Sequence, residues 1–396
     1  MLIKNVSALL DEELDFVSKT DIRINKNLFK KIHPEINSEK NDQIIDCEGL
    51  LLIPGLINAH THIGDSIGKD FTLDSSVDQR IHPVFGAKTR ILKNTSKENL
   101  TSFMRNTCHS MIRKGITTFV DFREGGIDGV LLLKKALSDL PIRGIILGRI
   151  EFYPDDDQIK KNVPFPNQLK PDLEKILTKC DGLGISGANE NSSKALKYYS
   201  KTSKLRAIHS SETRQSTSKS KKDLGLSETT RSLYVKPHFL IHMTYASETD
   251  LLQTAKKTRG IVVCPRANSA LAEGIPDIEL MKKTGCTLAL GTDNVMINSP
   301  DIFREMDFLW KTTMGIHKKR IDPKEILKMA TVNGGKILNK KIGIIGSGKI
   351  ADCVFLDKHA LDLEPMHNPY AAIVHRASES TIKAVMIGGK FVYNKI

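Results

Sequence analysis

The sequence predicts an α/β chain built as a (β/α)8 barrel, with a small β-sandwich formed by its N- and C-terminal segments. Two patterns point there. Between about residue 53 and residue 343, eight short apolar runs alternate with helical patterns, as strand–helix units of a closed parallel barrel do. Outside that range the alternation stops, and both ends read as strands and turns. A chain of 396 residues can bury a barrel-sized core plus a smaller one.

Residues 1–52 are taken as the N-terminal part of the sandwich, on strand-like pieces such as Ile22-Arg-Ile24 and Gln43-Ile-Ile-Asp46. Residues 53–343 form the barrel. Its first run, Leu50–Ile57, leads into Asn58-Ala-His-Thr-His62. The next runs are Gly115–Phe122, Arg143–Ile150, Gly182–Gly187, Leu205–His209, Phe239–His242, Gly260–Cys264 and Thr287–Gly291. Helical patterns separate them, among them Asn99–Lys114, Val130–Ser138, Leu173–Cys180 and Ile278–Thr284. A doubly wound open sheet would show a glycine-rich phosphate loop after its first strand, and Asn-Ala-His-Thr-His is not one. Residues 344–396 supply the rest of the sandwich, including two strands about Gly388-Gly389, a hairpin signal.

Composition narrows the function classes. Hydrophobic content of 40% and charged content of 27% are those of an ordinary globular protein. No apolar run reaches the roughly eighteen residues of a membrane span. Met1–Val6 lacks the apolar segment of a signal peptide, so a cytoplasmic location is expected. The six cysteines are scattered without Cys-x-x-Cys, as reduced thiols rather than bridges or zinc ligands. The net charge of +13 comes from dispersed lysines with no nucleic-acid motif, which favours a solvated basic surface over a nucleic-acid partner. An anionic small substrate is a further reading that stays open. So is a homo-oligomer.

Side chains at i and i+2 of a strand share a face, so His60 and His62 project together from one strand end. Two imidazoles so placed are half of a metal site. In a parallel barrel every strand's carboxyl end lies on one rim, where active sites form. The fifth run ends on His209, the sixth on His242 and the eighth on Asp293. Any one of these could be a packed polar residue. Five metal-capable side chains on four strand ends of one rim are a site hypothesis.

The order His-x-His, His, His, Asp on strands one, five, six and eight resembles the amidohydrolase superfamily. The likeness is greatest to the branch of cytosine, guanine and adenosylhomocysteine deaminases and triazine chlorohydrolases. Pro54-Gly55-Leu56, Cys264-Pro-Arg-Ala-Asn268, Gly291-Thr-Asp-Asn294, Ala330-Thr-Val-Asn-Gly334 and Gly348-Lys-Ile-Ala-Asp352 extend it over nearly the whole chain.

The resemblance implies that His60, His62, His209 and Asp293 hold one divalent metal, Zn2+ in preference to Fe2+. A second metal would want a bridging lysine on strand four, and Gly182-Leu-Gly-Ile-Ser-Gly187 has none; Glu151 and Glu190 keep that option open. It implies that Glu212, in a His-x-x-Glu spacing with His209, shuttles protons, where the plain alternative is a solvated loop carboxylate. It implies that Asp293 takes a proton from water and that His242, outside the ligand set, hydrogen-bonds the attacking oxygen. The expected small-molecule substrate is a heterocycle. Arg123, after strand two, could clamp an anionic group of it or sit in a salt bridge with Glu124. Asn268 and Arg266, after strand seven, could face the pocket or pack in loops.

The expected activity is deamination of a cyclic amidine such as a nucleobase, nucleoside or pterin. Hydrolysis of a cyclic amide or imidazolone, or a chlorohydrolase reaction, would use the same site. A scaffold without catalysis is the alternative of another class, and the retention of all five rim residues argues against it.

Overall fold

The computed structural model describes residues 1–71 and 75–396. Eight parallel barrel strands follow in chain order: Leu56–His62, Ile116–Arg123, Arg143–Gly148, Gly182–Ile185, Leu205–Ser210, Phe239–His242, Ile261–Val263 and Leu288–Leu290. Strands two to eight fall on the expected apolar runs, and each strand pairs in parallel with the next.

The eighth strand closes the barrel in two steps. Leu288–Leu290 pairs with the seventh strand, and its continuation Asp293–Asn294 pairs with Thr61–His62 of the first. The changeover falls at Gly291, whose N–H donates to Val263, while Thr292 N–H donates to His60 O. Only glycine fits there, because a Cβ would stand 2.7 Å from His60 Cβ. Asn58 locks the seam, its amide bonding Thr292 Oγ1 at 2.7 Å and its carbonyl accepting from Thr292 N at 3.0 Å.

The expectation of a single strand over Leu50–Ile57 is corrected by the structure. Leu50–Pro54 belongs to the terminal sheet, and the barrel strand begins at Leu56. Gly55 N–H still donates to Asp352 O, but Leu56 N–H donates to Gly115 O of the barrel. Gly55 cannot carry a side chain at this crossing, since a Cβ would lie 2.4 Å from Thr117 Oγ1. An apolar run that serves two sheets in succession looks continuous because both halves are buried.

The terminal sheet joins the two ends of the chain. Cys353–Asp357 pairs antiparallel with Leu50–Pro54, which also pairs with Leu2–Leu10. Ile382–Ile387 and Lys390–Asn394 form the hairpin about Gly388-Gly389. Alternation divides the side chains between two cores. Leu50, Leu52, Cys353, Phe355, Ala384 and Met386 fill the sheet's own interior. Leu51, Ile53, Val354, Leu356, Val385 and Ile387 join the large core shared with the barrel helices.

The barrel strands divide in the same way. Val120, Phe122, Ile145, Leu147, Ala207, Ile241, Val262 and Ala289 form one buried cluster along the strands. Phe119, Ile146, Ile208, Leu240 and Ile261 pack with helix residues such as Met111, Leu133 and Ile176. The helices carry ordinary end signals: helix Lys97–Arg113 is capped by Ser96, whose side chain accepts from Asn99 N, and it stops at Gly115 with φ +76°.

Candidate metal centre and active site

The rim of the barrel brings the expected residues together. His60 and His62 stand at the end of strand one, His209 near the end of strand five, His242 at the end of strand six and Asp293 beside Thr61 in the closing strand. His242 and Asp293 adopt left-handed backbone, φ +69° and +59°. Such conformations are uncommon outside glycine, cost about 1–3 kcal/mol each, and collect at functional sites.

His60, His62, His209 and Asp293 converge on one point. His209 Nε2 lies 3.2 Å from His60 Nε2 and 3.3 Å from His62 Nε2. Asp293 Oδ1 lies 3.2 Å from His60 Nε2 and 3.5 Å from His62 Nε2. A tetrahedral ion with donors at about 2.0–2.2 Å needs donor–donor edges of about 3.3–3.6 Å.

Hydrogen bonding on the far side of the rings supports the same fit. His62 Nδ1 is 2.7 Å from Glu124 Oε1 and 3.1 Å from Phe122 O; His209 Nδ1 is 3.0 Å from Ile185 O. Those oxygens only accept, so the ring protons sit on Nδ1 and both Nε2 lone pairs point at the common centre. Burial holds all three imidazoles below their ordinary range, His62 down to about 3, so they are neutral ligands. Lone pairs facing each other at 3.3 Å repel unless a cation lies between them. The donor set fits one divalent ion. Glu151 is exposed and accepts from Gly125 N at 3.0 Å, away from these donors. Neither it nor Glu190 belongs to the donor cluster.

Glu212 and His242 stand beside that cluster and form with Asp293 a second convergent group. Glu212 Oε2 is 3.5 Å from His242 Nε2, and Glu212 Oε1 has no hydrogen-bond partner among the described residues. Burial pushes the Glu212 carboxyl up to about 7, against the pull of His242. These residues line a cavity of about 130 Å³, together with Glu190, Thr213, Ser216 and Glu228. A larger cleft of about 730 Å³ adjoins it and shares Ile81, Pro83, Lys88 and Arg149 with it.

Arg123 and Asn268 both have partners within the protein, and Arg123 also lines the larger cleft. Arg123 is 3% exposed, and its guanidinium meets Glu124 Oε2 at 2.6 Å and Asp121 Oδ2 at 3.5 Å. This is the salt-bridge reading, with the charge neutralised inside the protein. Asn268 is 1% exposed and lies behind His242, its Oδ1 accepting from Nδ1 at 3.0 Å. Arg266 pairs with buried Glu305 at 3.3 Å.

Sequence reasoning gave no role to Glu124 beyond a salt bridge and none to Lys88 or Arg149. Glu124 Oε1 receives Lys88 Nζ at 2.6 Å and Arg149 Nη2 at 3.0 Å as well as His62. The acid at the end of strand two was a visible signal. Lys88, on helix Ala87–Asn94, had none. Asp65 is wedged under the rim, held by Asn294 Nδ2 at 2.7 Å and Met296 N at 3.1 Å.

Comparison with known proteins agrees with this architecture. Residues 51–392 match the model of the amidohydrolase family. A protein of Methanothermobacter thermautotrophicus, named only provisionally as an aminohydrolase, is 35% identical over 99% of both chains. The 5-methylthioadenosine/S-adenosylhomocysteine deaminase of Thermoanaerobacter pseudethanolicus is 30% identical, over 99% of this chain and 93% of its own. The zinc complex of atrazine chlorohydrolase TrzN from Arthrobacter aurescens TC1 superposes with a TM-score of 0.86 at 16% identity, covering 100% of this chain and 95% of that one. The chain belongs to the amidohydrolase family, and its fold is that family's barrel.

Proposed function

We propose that the protein is a metal-dependent aminohydrolase. It deaminates a cyclic amidine N-heterocycle, such as a nucleobase, nucleoside or pterin, with one zinc ion held by His60, His62, His209 and Asp293. The observation that carries this reading is the position of Glu212: a buried carboxyl with one unpartnered oxygen, 3.5 Å from His242 and beside a four-donor cluster. The deaminase relative that is 30% identical supports the substrate class, and the zinc-bound fold neighbour supports the metal.

When bound, the metal lowers the pKa of a water towards about 7, which makes hydroxide available at neutral pH. Asp293 accepts a proton from the attacking water. His242 Nε2 hydrogen-bonds the attacking oxygen and orients it. Glu212, raised to about 7, is populated in both protonation states near neutrality. It protonates the ring nitrogen next to the amino-bearing carbon, which becomes electrophilic. A second proton then goes to the amine, the C–N bond breaks, and ammonia leaves with a carbonyl in its place.

We also propose a cytoplasmic location. All six cysteines are buried free thiols, a state that a reducing compartment maintains. No helix among the described residues is long and apolar enough to cross a membrane.

The test is ammonia release from a panel of aminated heterocycles by zinc-loaded and iron-loaded protein. Turnover of at least one heterocycle with stoichiometric ammonia is the expected outcome. Chloride release from a chlorotriazine, or ring opening of a cyclic amide without ammonia, would move the chain to the other chemistries this site can perform.

A further inference from the structure

We infer that Asn268 is a positioning residue that fixes the tautomer and ring orientation of His242, and that it does not contact substrate. The assignment rests on the catalytic role proposed for His242.

Asn268 lies in helix Pro265–Ala270, directly after strand seven, and its N–H donates to Cys264 O at 3.0 Å. The side chain is 1% exposed and is absent from the walls of the catalytic cavity. Both ends of its amide are engaged. Oδ1 accepts from His242 Nδ1 at 3.0 Å, and Nδ2 donates to Thr244 Oγ1 at 2.7 Å. Turned end for end, the amide would lose the acceptor that faces His242. Thr244 Oγ1 satisfies the other end of the amide in this orientation.

The consequence lies at the other ring nitrogen. A carbonyl that accepts from Nδ1 places the proton there and leaves a lone pair on Nε2. That Nε2 is buried, has no hydrogen-bond partner among the described residues, and lies 3.5 Å from Glu212 Oε2. In this tautomer His242 presents Nε2 to the site as an acceptor. It can receive an O–H of the attacking water, and so turn the oxygen lone pair toward the ring carbon. Without Asn268 the acceptor at Nδ1 is gone, and Glu212 Oε2, 3.5 Å from Nε2, favours the opposite tautomer. The backbone of His242, at φ +69°, and of Met243, at φ +58°, is in the left-handed region.

The experiment is nitrogen NMR of ¹⁵N-histidine-labelled, zinc-loaded protein, with the His242 signals assigned by their loss in H242Q. Steady-state kinetics on the substrate found in the ammonia screen accompany it. In the wild type, Nδ1 of His242 should be the protonated nitrogen and Nε2 the unprotonated one. N268D keeps an acceptor and should preserve that pattern. N268A should give mixed tautomers and lower kcat by about tenfold or more, with zinc content and KM little changed.

A wild-type spectrum with the proton on Nε2 would overturn the assignment. So would an N268A enzyme with unchanged tautomer and kcat. An N268A enzyme with raised KM and intact kcat would put Asn268 against substrate instead. If no heterocycle releases ammonia, the deaminase reading fails while the nitrogen spectra still decide the role of Asn268.

Discussion

Glu124 Oε1 lies 2.7 Å from His62 Nδ1, on the side of the ring opposite the metal donors. Burial works against the Glu124 charge, but Lys88, His62 and Arg123 hold its carboxyl well below the usual range. A permanent carboxylate behind a ligating imidazole fixes its tautomer and raises its basicity. Glu124→Gln should weaken zinc binding by about 10–100-fold, the usual scale for such partners, as read by chelator competition. Affinity equal to wild type would show that Phe122 O alone orients His62.

Metal analysis should find about one transition-metal ion per chain, as a single four-donor cluster requires. His60→Ala and Asp293→Ala should each lose metal and turnover together. Two tightly held equivalents would mean that the Glu212–His242–Asp293 group also binds an ion.

Glu212→Gln should retain metal and lose deamination by roughly two orders of magnitude or more, the range of general acid–base catalysis. The amide is nearly isosteric but cannot carry a proton from water to ring nitrogen to leaving amine. Metal content and rate must come from one preparation. Loss of both would make Glu212 a ligand, and loss of neither would reduce it to a loop carboxylate.

Glu228 gives a pH signature that is read in stability rather than in turnover. Burial pushes its carboxyl up to about 8, with Glu190 and Glu212 adding repulsion against the hydrogen bond from Ser216. Between its ordinary value of 4.5 and about 8, the native state keeps a proton that the unfolded chain releases. The folded state then binds more protons, so stability falls as pH rises through that window. Urea midpoints at fixed zinc should decline from about pH 5 to about pH 8, and Glu228→Gln should lessen the decline, of which the buried Glu305 carboxyl, also pushed up to about 8, carries another part. An unchanged slope in the variant would show that Glu228 is ionised in the folded chain.

A fragment of residues 53–343 should be insoluble or fail to unfold cooperatively. Cys353–Asp357 pairs with Leu50–Pro54, and Leu51, Ile53, Val354 and Leu356 help form the core under the barrel helices. Removing those strands exposes apolar side chains and open strand edges. A soluble fragment with a sharp denaturant transition would contradict this dependence.

The sequence by itself determined the eight strands, the rim on which they end and the five polar residues placed there. Each of these follows from local periodicity: apolar runs of strand length, histidines at i and i+2, and polar residues at strand ends. The joining of the chain's two ends was legible as well, because neither end could bury its strands alone.

The tertiary structure decided what no local pattern carries. Leu50–Ile57 is continuous in hydropathy yet divides at Gly55, because the switch of partner depends on Asp352 and Gly115, distant in sequence. Arg123 and Asn268 follow strands two and seven, where a substrate contact could lie, but packing decides their partners: Arg123 meets Asp121 as well as Glu124, and Asn268 meets His242 of the neighbouring strand. Glu124, Lys88 and Arg149 come from three separate segments. A buried charge is tolerable only beside its partners, and those partners become neighbours only once the barrel has closed.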